Sequence, residues 1–292
     1  MISSTERVHE NLRIEYVDVD ADSDGDVDSD DGDTATSTDA ESGASIARLV
    51  MEGSEQSLNA FSPSKVETMA TAVESLAGEV DCLVVYGEPV FSVGADLHEI
   101  DQKPDEMRSA RIDTIAAASN RFIRAVRSFP APVVAAVTGM AAGGGLGFAL
   151  AADLIYVHED ATFDTAFARI GLTPDNATPF FLVQTLGPYR TRELLFDPQP
   201  IDAETAVDLG LANDVYTGPE SEFVDAVTDD LGRLAEGPTE VYARTKELVD
   251  SGFSANLDDH LEEERSVITR MGDSETFDEG LEAFFEKRSP NW

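Results

Sequence analysis

One cysteine, four lysines and one tryptophan are found among 292 residues. A lone cysteine excludes an internal disulfide framework and a cysteine-based metal cluster. Cys82 lies in the apolar run Cys82-Leu-Val-Val-Tyr86, which makes it a core residue. The histidines, His9, His98, His158 and His260, form no local cluster, so no metal site is expected. Basic residues are scarce: 20 Lys plus Arg stand against 58 Asp plus Glu, a formal net charge of −38. That field repels phosphate backbones and anionic lipid, which excludes nucleic acid and membrane surfaces as partners. The first ten residues are polar and charged, unlike a signal peptide. The one long uncharged run, residues 128–152, is interrupted by glycines and flanked by prolines, so it reads as strand and turn rather than a membrane span. A cytoplasmic protein is expected.

What is present suits a large soluble core, with 42% hydrophobic residues. An Asp-rich, Lys-poor surface over an intact core reads as adaptation to high salt, where screening removes self-repulsion. Residues 18–43 are low-complexity acid, Ser, Thr and Gly, too poor in apolar groups to order themselves, and read as a disordered loop insertion between two strands. Asp20, Asp22, Asp24 and Gly25 there mimic the first half of a calcium loop, but Asp31 stands where a bidentate Glu is expected and no flanking helix pair is evident.

Leu12-Arg-Ile-Glu-Tyr-Val alternates as an opening strand, and residues 45–52, 81–86, 132–137, 154–158 and 161–163 continue the strand pattern. Helical spacing marks residues 63–76, 105–129 and 179–186. Strands alternating with helices indicate an α/β protein with a mostly parallel sheet. From about residue 218 the pattern is helical, over 220–234, 238–251, 257–271 and 276–287. The chain therefore divides into a core over 1–217 and a helical region over 218–292.

Between a strand and a helix, residues 139–147 hold five glycines: Gly139, Gly143, Gly144, Gly145 and Gly147. A glycine turn opening a helix presents free N–H groups to an oxyanion. No Lys-Ser/Thr follows, as a phosphate-binding loop requires, and no G-x-G-x-x-G spacing is present. A second strand-to-helix turn, Phe91-Ser92-Val93-Gly94-Ala95-Asp96-Leu97, exposes N–H groups around Ala95. Two donors on one oxygen are what a developing enolate needs, and losing one costs about 3–4 kcal/mol of transition-state stabilisation. Ser92 lacks the G-x-S-x-G context of a serine hydrolase.

At these residues the chain resembles the crotonase (enoyl-CoA hydratase/isomerase) superfamily. The resemblance runs from Ser57-Leu-Asn59-Ala-Phe61-Ser62 through both glycine turns and Glu193-Leu-Leu-Phe196. It continues in Ile201-Asp-Ala-Glu-Thr-Ala206 and Leu209-Gly-Leu-Ala-Asn213, and ends in Phe277-Asp-Glu-Gly-Leu-Glu-Ala-Phe-Phe-Glu-Lys-Arg288. It covers residues 46–288 in the expected order. It implies a ββα spiral core with a C-terminal helical trimerisation region, a homotrimer or hexamer, and an acyl-CoA thioester substrate with no further cofactor. It also implies that Ala95 and Gly144 supply the oxyanion donors, that Gly143 and Gly145 keep the thioester pocket open, and that Gly94 belongs to the substrate site.

Hydratases of that family use two glutamates, and here Gly147 and Phe167 stand in those places. Neither can move a proton. The stretch Ala166-Phe167-Ala-Arg-Ile-Gly171-Leu-Thr-Pro174-Asp175 instead resembles the isomerase branch, which includes the ring-epoxide isomerase of phenylacetyl-CoA degradation and the Δ3,Δ2-enoyl-CoA isomerases. That likeness assigns the proton to Asp175. One carboxylate suffices for a 1,3-shift, and a wall of Phe167, Phe180 and Phe181 would raise its pKa. Thr178-Pro179 is expected to cap the following helix, leaving Asp175 free of that duty. The family's Asp-x-Gly-Gly-Thr continuation is Asp175-Asn-Ala-Thr-Pro here. Asp96 is expected to tie its turn beside the substrate, and His98 to lie near the coenzyme A adenine or 3′-phosphate. Asp153 is expected to anchor a helix end, and Asp164 is a secondary pocket acid. Two other readings stand beside an acyl-CoA isomerase of fatty or aromatic acid degradation. One is another crotonase-type hydratase, hydrolase or lyase with a different acid/base group; the other is a non-catalytic acyl-CoA-binding or interaction subunit.

Overall fold

Residues 1–19 and 43–292 are described by a computed structural model. Its strands are β1 (Ile2–His9), β2 (Leu12–Asp18), β3 (Ser45–Glu52), β4 (Cys82–Glu88) and β5 (Val133–Val137). Then come β6 (Met140–Ala142), β7 (Leu154–His158), β8 (Thr162–Asp164), β9 (Ile201–Asp202) and β10 (Asp214–Tyr216). The helices of the first part are α1 (Pro63–Leu76), α2 (Leu97–Asp101), α3 (Asp105–Arg127), α4 (Gly144–Leu150), α5 (Thr178–Phe196) and α6 (Ala203–Asp208). The last part holds α7 (Glu220–Asp230), α8 (Gly232–Ala235), α9 (Thr239–Ser251), α10 (Leu257–Met271) and α11 (Glu275–Glu286).

A seven-stranded sheet runs in the order β1-β2-β3-β4-β5-β7-β10, and β6-β8-β9 form a small second sheet. β3, β4, β5, β7 and β10 pair in parallel. β3, β4 and β5 are buried almost throughout, as strands covered on both faces must be. Alternate residues feed two cores. Ala47, Leu49, Met51, Leu83 and Val85 pack with α1 and α3, while Ile46, Val50, Cys82 and Val84 pack with Phe223 and Val227 of α7. Arg48, 3% exposed, points to the second side, where its Nε donates to Thr228 Oγ1 at 2.9 Å.

The expected elements are present, with four differences. The helix expected over 220–234 divides at Leu231 into α7 and α8. Leu12 does not open the sheet. β1 precedes it, paired antiparallel to β2. β1 is exposed along most of its length, so it is held by backbone pairing and carries no apolar alternation to read. The helix expected over 179–186 extends to Phe196 past a break at Gly187. It also begins at Thr178, with Ala177 as its cap, so Thr178 is no cap: it lies inside the first turn, and its buried Oγ1 finds no partner among the described residues. β2 and β3 pair in register from Asp18↔Ser45, so the acidic segment joins two hairpin strands. The calcium-like residues from Asp20 to Asp31 lie outside the described residues. Among those described, no helix is long and apolar enough to cross a membrane.

Candidate active site

Strand order brings the two glycine turns together. β4 and β5 are neighbours, so the chain leaving each arrives at the same edge. Ser92 and Ala141 form a bridge there, and Phe61 bridges Ala95. A Cβ at Gly94 would lie 2.9 Å from the Gly144 nitrogen, so the two main chains touch. Gly143, at φ 52 and ψ −123, holds a conformation that a side chain would forbid.

Planar trans peptides then aim the donors. The Gly94 carbonyl accepts from Phe61 N–H at 2.9 Å, so the N–H of Ala95 points the opposite way. The Gly143 carbonyl accepts from Leu146 and Gly147 at 3.2 and 3.4 Å, which turns the Gly144 N–H out of the first turn of α4. Neither N–H donates to another group among the described residues. Gly143 N–H is itself held by the Asp164 carbonyl at 2.9 Å.

The Ala95 turn is clamped by Asn59, 1% exposed and at φ 55. Its Nδ2 donates toward the carbonyls of Met51, Glu88 and Val90 at 3.0, 3.0 and 2.8 Å. Ser92 Oγ donates to the Asn59 carbonyl at 2.9 Å and accepts from Gly94 N–H at 3.2 Å. Ser92 is therefore a buried tie, consistent with its lacking a nucleophile's setting.

Both turns open on a cavity of about 140 Å³. Ala95, Gly143, Gly144, Phe167 and Asp175 all line it, together with Phe61 and a wall of Leu97, Ile100, Ile112, Ile115, Ile170 and Leu172. Burial raises the Asp175 carboxyl above the ordinary aspartate range, and no neighbouring charge contributes. Phe167 is 8% exposed and forms apolar wall. A Cβ at Gly147 would run into the Asn176 carbonyl oxygen, with Asn176 Cβ at 2.6 Å and Thr178 Oγ1 at 3.0 Å. The segment carrying Asp175 thus fills the space in which a carboxylate at position 147 would stand. Asn176 also donates to the Gly144 carbonyl at 3.2 Å, and its own buried Oδ1 has no partner among the described residues.

Other expected residues fall elsewhere. Asp96 caps α2, its Oδ1 accepting from His98 and Glu99 N–H at 2.9 and 3.2 Å. His98 is exposed on α2 and does not line the cavity. Phe180 is 53% exposed and, with Phe181, lines a separate cavity of about 780 Å³. The burial acting on Asp175 therefore comes from Phe61, Phe167 and the aliphatic wall, because α5 turns Phe180 and Phe181 toward the other cavity. Asp164 is tied by Arg169 at 2.6 Å and by Ala166 N–H at 2.9 Å. Asp153 receives Lys246 Nζ at 2.7 Å and Val133 N–H at 2.9 Å. Sequence reasoning missed the roles of Asn59 and Asn176. The signal for Asn59 was its place before Ala-Phe, and for Asn176 its place between Asp175 and a helix start.

The chain matches the enoyl-CoA hydratase/isomerase family over residues 41–292. It is 31% identical over 204 residues to the trans-2-decenoyl-(acyl-carrier-protein) isomerase of Streptococcus mutans, covering 70% of this chain and 76% of that one. It is 28% identical over 239 residues to the 1,2-epoxyphenylacetyl-CoA isomerase of Escherichia coli, covering 80% and 90%. The crystal structure of an enoyl-CoA hydratase from Polaromonas sp. JS666 superposes with a TM-score of 0.77 at 28% identity, covering 84% of this chain and 95% of that one.

Proposed function

The chain belongs to the enoyl-CoA hydratase/isomerase family, and we propose that within it the protein acts as an acyl-CoA double-bond isomerase with Asp175 as its base. The thioester oxygen of a 3-enoyl-CoA sits between the N–H groups of Ala95 and Gly144. The Asp175 carboxylate takes a proton from C2, and the electron pair moves to the thioester oxygen as a dienolate. Asp175 then returns the proton at C4, leaving the double bond at C2–C3, so no other reactant is needed. Desolvation makes Asp175 a stronger base than an aspartate in water. Coenzyme A enters as part of the substrate, and the scheme uses no further cofactor.

The observation that carries this reading is the Asn176 main chain packed on Gly147. Together with apolar Phe167 it supports a single-carboxylate reaction, since Asp175 is the one carboxylate among the described residues lining this cavity. α10 and α11 expose Leu257, Leu261, Ile268, Phe277, Leu281, Phe284 and Phe285, which supports assembly of a homotrimer, or a hexamer of two, through this face. The charge supports a salt-adapted protein of the cytoplasm.

The deciding experiment compares 3-enoyl-CoA with 2-enoyl-CoA as substrates in molar KCl. Isomerisation is expected, falling by about 10²–10⁴ in Asp175→Asn with acyl-CoA binding little changed. Efficient hydration of 2-enoyl-CoA with no isomerisation would sink the reading.

A further inference from the structure

Lys65 has no part in the proton shift, yet it is 4% exposed in a chain with only four lysines. It sits on the first turn of α1, after the Ser62 cap. Its Nζ donates to Asn59 Oδ1 at 3.0 Å, and among the described residues it forms no ion pair. A buried ammonium without a carboxylate partner is costly, and an apolar side chain would fill the same place at less expense. What it touches is the residue that clamps the oxyanion turn. The Nδ2 of Asn59 is committed to three carbonyls, its main-chain oxygen holds Ser92, and Ser92 holds Gly94. Lys65 is the group that satisfies the remaining Asn59 oxygen.

We infer that Lys65 is a positioning residue for enolate stabilisation: through Asn59 and Ser92, whose Oγ accepts from Gly94 N–H, it holds the Val93–Gly94 peptide and so fixes the turn from which the next peptide presents the Ala95 N–H. This rests on the reading of Ala95 and Gly144 as oxyanion donors. Burial also pulls the Lys65 ammonium down to about 8, with Glu52 of β3 partly opposing it. The charges grouped around Glu52 are Arg7 of β1 and Arg13 of β2, both paired to it, and Glu15 and Glu88, each paired to Arg13. Glu52 is held below the usual carboxylate range by these arginines. Lys65 is thus the group of this set that changes charge near pH 8, weakening its bond to Asn59.

The test measures two ligands on wild type, Lys65→Met and Lys65→Arg in molar KCl. Acetoacetyl-CoA reports enolate stabilisation through the ultraviolet band of its bound enolate; butanoyl-CoA, which does not enolise appreciably, reports ground-state binding. In Lys65→Met the bound enolate should fall about ten- to a hundredfold, with butanoyl-CoA affinity within about twofold and isomerase kcat reduced more than KM. Lys65→Arg should restore most of the enolate. Wild-type enolate should decline above pH 8, and Lys65→Arg should not, because arginine does not titrate there. An unchanged enolate band and pH profile in Lys65→Met overturns the inference and spares the oxyanion reading. Wild type that binds acetoacetyl-CoA without any enolate overturns both. If Lys65→Met does not fold, Lys65→Arg decides: a limb near pH 8 that persists in it overturns the inference.

Discussion

The Asn176 main chain occupies the position from which a side chain at Gly147 would grow. Restoring a hydratase-type carboxylate by Gly147→Glu therefore collides with backbone, which cannot yield as a flexible side chain would. A loss of about 3 kcal/mol or more is expected, from overpacking and displacement of the Asp175 segment. Denaturant melts measure it, and a hydration assay should show no activity gained. A stable, hydrating Gly147→Glu protein would mean that the segment moves freely.

The base role proposed for Asp175 has a consequence for stability. The Asp175 pKa is raised in the folded state, so folding favours the protonated form. That contribution is fully present below the unfolded aspartate pKa and is lost as pH rises through the higher folded value. At pH 7 the ionised carboxylate is thus a burden on the fold, and Asp175→Asn should melt above wild type. The difference should shrink toward zero as pH falls below the ordinary aspartate range. A variant that melts lower at pH 7 would show Asp175 to be stabilised by a partner.

Ala177 stands at φ 55 immediately before α5. A left-handed alanine costs about 1–2 kcal/mol, which glycine avoids at some entropic cost. Ala177→Gly should therefore gain about 0.5–1 kcal/mol in chemical denaturation, with activity unchanged or higher. A loss of stability would show that the alanine methyl contributes packing beyond its strain.

Gly94→Ala would place a methyl 2.9 Å from the Gly144 nitrogen, on a backbone at φ 92. With Ala95 and Gly144 as the proposed oxyanion donors, turnover should fall by about 10²–10³, the cost of losing one such donor, and more than acyl-CoA affinity falls. Equal losses in both would place the damage in binding rather than in the charge-stabilising turn.

A formal charge of −38 predicts that melting temperature and assembly both rise from about 0.1 M to molar KCl as repulsion is screened. Sedimentation in the two buffers checks this. A stable trimer in dilute buffer counts against salt adaptation.

Composition and periodicity determined much of this protein. Cys82-Leu-Val-Val-Tyr86 reads as a buried strand because a strand covered on both faces needs apolar residues throughout, and β4 has that burial. The glycine turns announced themselves because their backbone tolerates no Cβ. The missing carboxylates at 147 and 167 were legible as residue types. β1 was not legible, because an edge strand pairs through its backbone and needs no pattern. Nor was the start of α5, where two successive left-handed residues, Asn176 and Ala177, place the helix one residue earlier than the Thr178-Pro179 signal.

Only the tertiary structure decided what meets what. Residues 94 and 144 are fifty apart in the chain, and no local propensity relates them. The adjacency of β4 and β5 brings their turns into contact. The same arrangement sets Asp175 on the small cavity and turns Phe180 toward another, although only four residues lie between them. Periodicity encodes which side of an element is buried; the order of strands and the aim of each turn decide what that buried side faces.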